Sequence, residues 1–193
     1  MAATPQLSVA CVLERYYSFA IEATLEAAGF DEDNVAFINP VDPSDNTVAS
    51  TLSLADRAWA AQHIEAWRRC EVAETPMLIF HSDCAFASSS VFDQAKAMVA
   101  SAAALAPGVL YLGAAASDGE SEGAAALAPA VAAGAHTLLP AQSATRAAAY
   151  VVWPTEARLL LKSLPLDAPV LDFLHTHVTG QKMVASPALA IAT

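Results

Sequence analysis

Positive charge is what this sequence has least of. Nine lysines and arginines stand against 20 aspartates and glutamates, for a formal charge of −11. A field of that sign repels nucleic acid and anionic membranes, which excludes both as expected partners. It also leaves few arginines for a phosphate-bearing ligand, which would then need a metal ion for charge balance. Cysteine is scarce too. Cys11, Cys70 and Cys84 have no CxxC spacing and cannot all pair, so they read as reduced, buried, small hydrophobes. No long apolar run is present either. The stretch from Ala124 to Ala135 is mostly alanine and is broken by Pro129 and Gly134, short of the roughly 20 strongly apolar residues that a membrane span needs. The opening MAATPQLSVACVLERYY has no basic region and reaches Glu14 and Arg15 at once. It does not read as a secretory signal, and the expected location is cytoplasmic.

What is present reads as globular: 55% of the 193 residues are hydrophobic and 15% charged. Without a repeat or linker, residues 1–193 are expected to form one domain. Apolar runs with β-branched members predict strands at Leu7 to Leu13, Asn34 to Asn39, Met77 to Phe80, Val109 to Leu112 and Ala147 to Val152. Helices are expected over Phe19 to Ala28 with Gly29 as terminator, Leu54 to Cys70, Val91 to Ala106, and Thr155 to Leu164 with Thr155 as cap. Asp118 to Gly123 is a polar loop holding Glu120 and Glu122. This alternation predicts an α/β fold, an α/β/α sandwich around a mostly parallel sheet.

The run MLIF ends at His81-Ser82-Asp83, a ligand-bearing position if the strand is parallel. If the chain stays extended there, His81 and Asp83 point the same way and could hold a divalent cation, manganese more readily than magnesium. The plainer alternative is a turn in which Asp83 accepts backbone N–H groups and His81 is merely exposed. Cys84 with a histidine as base is a further option, a cysteine or metal hydrolase. Asp56, Trp59, His63 and Trp67 share one helix face, where His63 is either a packed contact or a pocket support. His175 and His177 alternate like strand neighbours and could grip a metal, although two ligands are few. Asp172, in PVLDFL, is a lone acid among apolar residues that needs a partner or a task.

Seven stretches fall in an order that resembles the family-25 glycosyltransferases, which include lipooligosaccharide and procollagen galactosyltransferases. They are IEATLEAAGF, LADRAWAAQHIEAW, MLIFHSDCAF, LYLGA, AAYVVWPTEARLLL, PVLDFL and ASPALA, and the resemblance runs from about Leu7 to the end of the chain. The resemblance implies a GT-A-like, Rossmann-related fold and a nucleotide-sugar donor such as UDP-galactose. It also implies a divalent metal (Mn²⁺ or Mg²⁺), a glycan or other hydroxyl acceptor, and inversion at the anomeric carbon. The family's Asn-Leu-Asp-Arg falls on Val12-Leu13-Glu14-Arg15, which keeps the arginine and loses the asparagine; a later family arginine gives way to Ser18-Phe19. Its Glu-x-Gly-Cys…Ser-His pattern falls on Asp56, Ala58, Trp59, Gln62 and His63, with Trp67 beyond. Its Glu-Asp-Asp becomes His81-Ser82-Asp83, so one carboxylate of the metal motif survives.

Carried over residue by residue, Leu13, Glu14, Arg15, His63, Ser82 and Asp83 would line the donor site. Asp83 with His81 would hold the metal. Asp172 would be the general base, with His175 in reserve. The rival expectation is a binding module that keeps the fold without the chemistry. A homodimer stays open at this stage.

Overall fold

The structure is a computed structural model that describes residues 6–14, 19–41, 47–105, 107–113, 131–133, 136–141 and 147–192. Among these, eight strands form one sheet: β1 (Ser8–Val12), β2 (Val35–Ile38), β3 (Met77–His81), β5 (Pro107–Tyr111), β6 (Val131–Ala133), β7 (His136–Pro140), β8 (Ala149–Val152) and β9 (Gln181–Ser186). Two short strands, β4 (Cys84–Phe86) and β10 (Ala190–Ala192), pair separately. Five helices are described: α1 (Phe19–Ala27), α2 (Leu54–Ala73), α3 (Val91–Ala102), α4 (Pro154–Lys162) and α5 (Val170–His177).

Alternating side chains explain the layering. Val9 and Cys11 on β1 with Leu13 just beyond it, Leu78 and Phe80 on β3, and Ala149 and Val151 on β8 enter one core with Leu25 and Ala28 near α1 and Met98 of α3. Their neighbours Ala10, Val12, Ile79, Tyr150 and Val152 enter a second core with Trp67 of α2, Leu160 of α4 and Phe173 of α5. With both faces covered, the strands read as unbroken apolar runs rather than alternating ones.

The α/β architecture is as expected, but the sheet is not mostly parallel. Its order is β2-β1-β3-β8-β5-β9-β7-β6. The β1–β2, β1–β3 and β5–β9 pairs are parallel, whereas β3–β8, β5–β8, β6–β7 and β7–β9 are antiparallel. β8 and β7 are the cause. β8 enters between β3 and β5 in the opposite direction, and its buried run AYVV looks the same in sequence either way round; β7 likewise runs opposite to its neighbours β9 and β6.

Helix boundaries shift for local reasons. α2 continues past Cys70 to Ala73, where Glu74 takes a left-handed cap with φ 53° and donates its N–H to the Cys70 carbonyl. α4 starts at Pro154 instead of being capped by Thr155, because proline's fixed φ suits the first helical position and it has no N–H to satisfy. α3 ends at Ala102 in a 3-10 turn, and β5 begins earlier than expected, at Pro107.

Candidate functional site

The first three sheet strands define a crevice. From β1 the chain passes through α1 to β2 on one side of β1, then through α2 to β3 on its other side. The residues around α1 and those of α2 pack in opposite cores. The carboxyl ends of β1 and β3 therefore flank the point where the winding reverses, the place where open α/β sheets take their ligands.

Several hydrogen bonds fix these strand ends. Leu13 N–H donates to the Ile38 carbonyl (3.0 Å) and Ser82 N–H to the Val12 carbonyl (2.9 Å). Glu14 N–H donates to Ser82 Oγ across the crevice (3.1 Å). Beneath them Gln62, buried on α2, donates from Nε2 to the carbonyls of Leu13 (2.8 Å) and Ile38 (3.0 Å). Leu13 was expected to line the donor site, but it is 0% exposed and both its backbone polar groups are engaged. It shapes the strand end from inside. Glu14 is exposed at the rim, Ser82 is half-buried beside it, and Arg15 lies outside the described residues.

His81 and Asp83 do not continue side by side along an extended strand. β3 ends at His81, and Ser82-Asp83 form a turn into β4. Strand parity sends His81 inward toward α2, whereas Asp83 is exposed. The His81 ring lies edge-on to Trp59, with centroids 4.2 Å apart. Its Nε2 is 3.1 Å from Nε2 of His63. Desolvation lowers the His81 pKa to about 4, against a smaller upward pull from Asp83. Burial, with the His81 ring adding to it, holds His63 well below its usual value.

The expected side-by-side geometry of His81 and Asp83 is corrected by the turn at Ser82-Asp83. Nε2 of His81 is engaged with another imidazole, which leaves Nδ1 as that ring's other nitrogen. Asp83, exposed in the turn, keeps a position from which it could meet a cation. Among the described residues, no group of three or more His, Cys, Asp and Glu side chains is placed to hold a metal ion.

The helix face read from sequence does converge on this point, with one addition. His63 is 0% exposed and stacks on Tyr150 of β8 (5.7 Å, 16°), its Nδ1 lying 2.8 Å from Tyr150 Oη. Trp67 Nε1–H donates to the same hydroxyl (3.0 Å). Tyr150 was missed as a site residue. The available signal was a tyrosine inside the apolar run AAAYVVW, whose hydroxyl must find a partner when buried. Gln62, a polar residue on the inward face of α2, carried the same kind of signal. Asp56 remains at the helix start, where Ser53 Oγ accepts its backbone N–H.

Asp172 and His175 stand apart from this cluster. Asp172 occupies the first turn of α5 and is exposed, while Val170, Phe173 and Leu174 face the core. The helical period resolves the lone acid among apolar neighbours by turning it to solvent. Leu166 pairs with Val48 in the β2–α2 connection, which puts the start of α5 at the same end of the sheet as the tips of β1 and β3. His175 and His177 lie on a helix, not a strand, so residues two apart diverge. His175 is exposed, and His177 stacks on Phe173 (4.2 Å). Cys84 is 4% exposed with its pKa raised by burial to about 12, which removes it as a nucleophile. Glu120 and Glu122 lie outside the described residues.

Compared with family models and with curated proteins, the chain matches none.

Proposed function

We propose that this chain binds a nucleotide sugar over the carboxyl ends of β1 and β3 and transfers its hexosyl group, galactose or glucose, to a hydroxyl of a glycan or similar acceptor. The observation that carries the reading is the reversal of winding at β1 and β3, with the Glu14–Ser82 bridge and His81 at its mouth. The seven ordered stretches that resemble family-25 glycosyltransferases support a donor of UDP-sugar type and a GT-A-like arrangement of the fold.

The roles divide between the sheet ends and α5. Glu14 and Ser82 line the donor crevice, and Arg15 joins them by resemblance. Asp83 would hold the divalent cation, which when bound would neutralise charge on the leaving diphosphate. Asp172 takes the proton of the acceptor hydroxyl, with His175 in reserve. A second reading, a nucleotide-sugar or glycan binding module without turnover, is favoured by one specific observation: an engaged imidazole stands where the family pattern has its first acid.

Titration with UDP-, GDP- and CMP-hexoses, with and without Mn²⁺, followed by assay for donor hydrolysis and transfer, separates the readings. A saturable UDP-hexose response with turnover supports the enzyme, and saturation without turnover supports the module. Failure of every nucleotide sugar to bind refutes both. Asp172→Asn is expected to leave donor affinity in place and lower transfer by about 10²-fold.

A further inference from the structure

The buried chain Trp67–Tyr150–His63–His81 has one arrangement of hydrogens that leaves no polar atom stranded. The Trp67 indole only donates, so it occupies a lone pair of Tyr150 Oη. The Tyr150 hydroxyl, 1% exposed, must place its own hydrogen, and among its partners in the described residues only His63 Nδ1 can accept it. His63 then carries its hydrogen on Nε2 and donates it to Nε2 of His81, 3.1 Å away. A neutral His81 is left with its hydrogen on Nδ1. The two nitrogens of an imidazole point in nearly opposite directions. With Nε2 aimed at the fully buried His63, the Nδ1–H of the half-buried His81 points away from His63. Coordinating a metal through His81 Nδ1 would reverse the whole chain and leave the Tyr150 hydrogen without an acceptor.

We infer that Tyr150 and His63 lock His81 as a neutral Nδ1–H donor to an anionic oxygen of the ligand, a diphosphate oxygen if the donor is a nucleotide sugar, and not as a metal ligand. This rests on the nucleotide-sugar reading only for the identity of the ligand. A cation in this site would then have Asp83 as its protein contact, with the diphosphate supplying further oxygens. Few protein carboxylates plus substrate phosphates form an oxygen-only ligand set, which suits Mg²⁺ at least as well as Mn²⁺. His63 and Tyr150 are positioning residues, since neither reaches the crevice.

The test is long-range ¹H–¹⁵N correlation on the full chain with ¹⁵N-labelled histidine, with His81 assigned by His81→Asn. The expected spectrum shows His81 with a protonated Nδ1 and a bare Nε2, and His63 with the opposite pattern. A bare Nδ1 on His81 overturns the lock. Zn²⁺ alone, the cation with strong appetite for imidazole, should leave the His81 nitrogens unmoved; a coordination shift there overturns the proposal even if the tautomer is correct. Tyr150→Phe removes the only hydrogen that holds His63 in place, so both rings should become tautomer mixtures, an effect that a purely structural hydroxyl would not produce. UDP with Mg²⁺, or pyrophosphate with Mg²⁺, should shift the His81 Nδ1–H line. A response to pyrophosphate but not UDP removes the nucleotide reading and leaves the anion donor intact. No response to either overturns the donor role.

Discussion

Acidification tests the buried histidine pair without any ligand. In the unfolded chain both rings titrate near 6.5, whereas burial lowers His81 to about 4 in the fold and holds His63 well below its ordinary value. Between pH 6.5 and about 4 the unfolded state therefore binds more protons than the folded one. Stability rises with pH wherever that holds, so it is intact above pH 6.5 and falls as the medium is acidified toward 4. For His81 the shift corresponds to about 3 kcal/mol lost across the window, and His63 adds to it in the same direction. The assay is urea denaturation at steps from neutrality down to about pH 4, on the wild type and on a His63→Gln/His81→Asn variant. The double variant is less stable at neutral pH because it breaks the chain from Tyr150, but its curve should be flatter below pH 6.5. The difference between the two curves isolates the rings from the background titration of the acidic residues. Parallel curves, within about 0.5 kcal/mol throughout, would mean that the rings are hydrated in the fold and the reasoning fails.

Three other outcomes follow from the same contacts. Gln62→Leu strands the Leu13 carbonyl at the base of the crevice and should cost about 1–3 kcal/mol by urea midpoint. Gly29→Ala sets a side chain at φ 82° with its Cβ 2.6 Å from the Ser89 carbonyl oxygen, and should cost about 1–3 kcal/mol in the same assay. Iodoacetamide should fail to label Cys84 in the folded protein and label it readily in urea, as mass spectrometry of the peptide will show; fast native labelling would restore the cysteine-nucleophile alternative.

The sequence was most legible where burial alone decides structure. Val9 to Val12 and Met77 to Phe80 are apolar on both faces, so their strand character and the polar break at His81 could be read directly. The Trp59–His63–Trp67 face was legible because a helix repeats its contacts at three and four residues. Strand direction was not. Tyr150 sits in a run that a parallel or an antiparallel strand would bury equally, and the partner that decides its role is Trp67, far away in the chain. The turn after His81 is not decided by sequence, because Ser-Asp is compatible with both an extended tip and a turn. α5 was the hardest case. With eight residues, VLDFLHTH supports either period, and packing of Phe173 on Trp67 favours the helix that sends Asp172 outward.

A neutral imidazole rather than a carboxylate at position 81 has an electrostatic consequence for the proposed donor site. A diphosphate approaching the crevice would meet exposed Glu14 and Asp83 on a chain of formal charge −11. Those rim charges are partly screened in physiological salt, where the Debye length is about 8 Å, but a carboxylate at position 81 would lie deeper, where screening is weak. A neutral imidazole removes that repulsion, and its Nδ1–H offers a directional contact in its place. The imidazole also has a steric requirement. The tip of β3 must admit a ring between Trp59 and His63, and the His81 centroid lies 4.2 Å from Trp59 and 5.2 Å from His63. Trp59, His63 and Tyr150 thus belong with His81 as one unit. A carboxylate placed at position 81 would face an indole edge and the Nε2–H of His63, and would need that N–H to remain ionised in a buried setting.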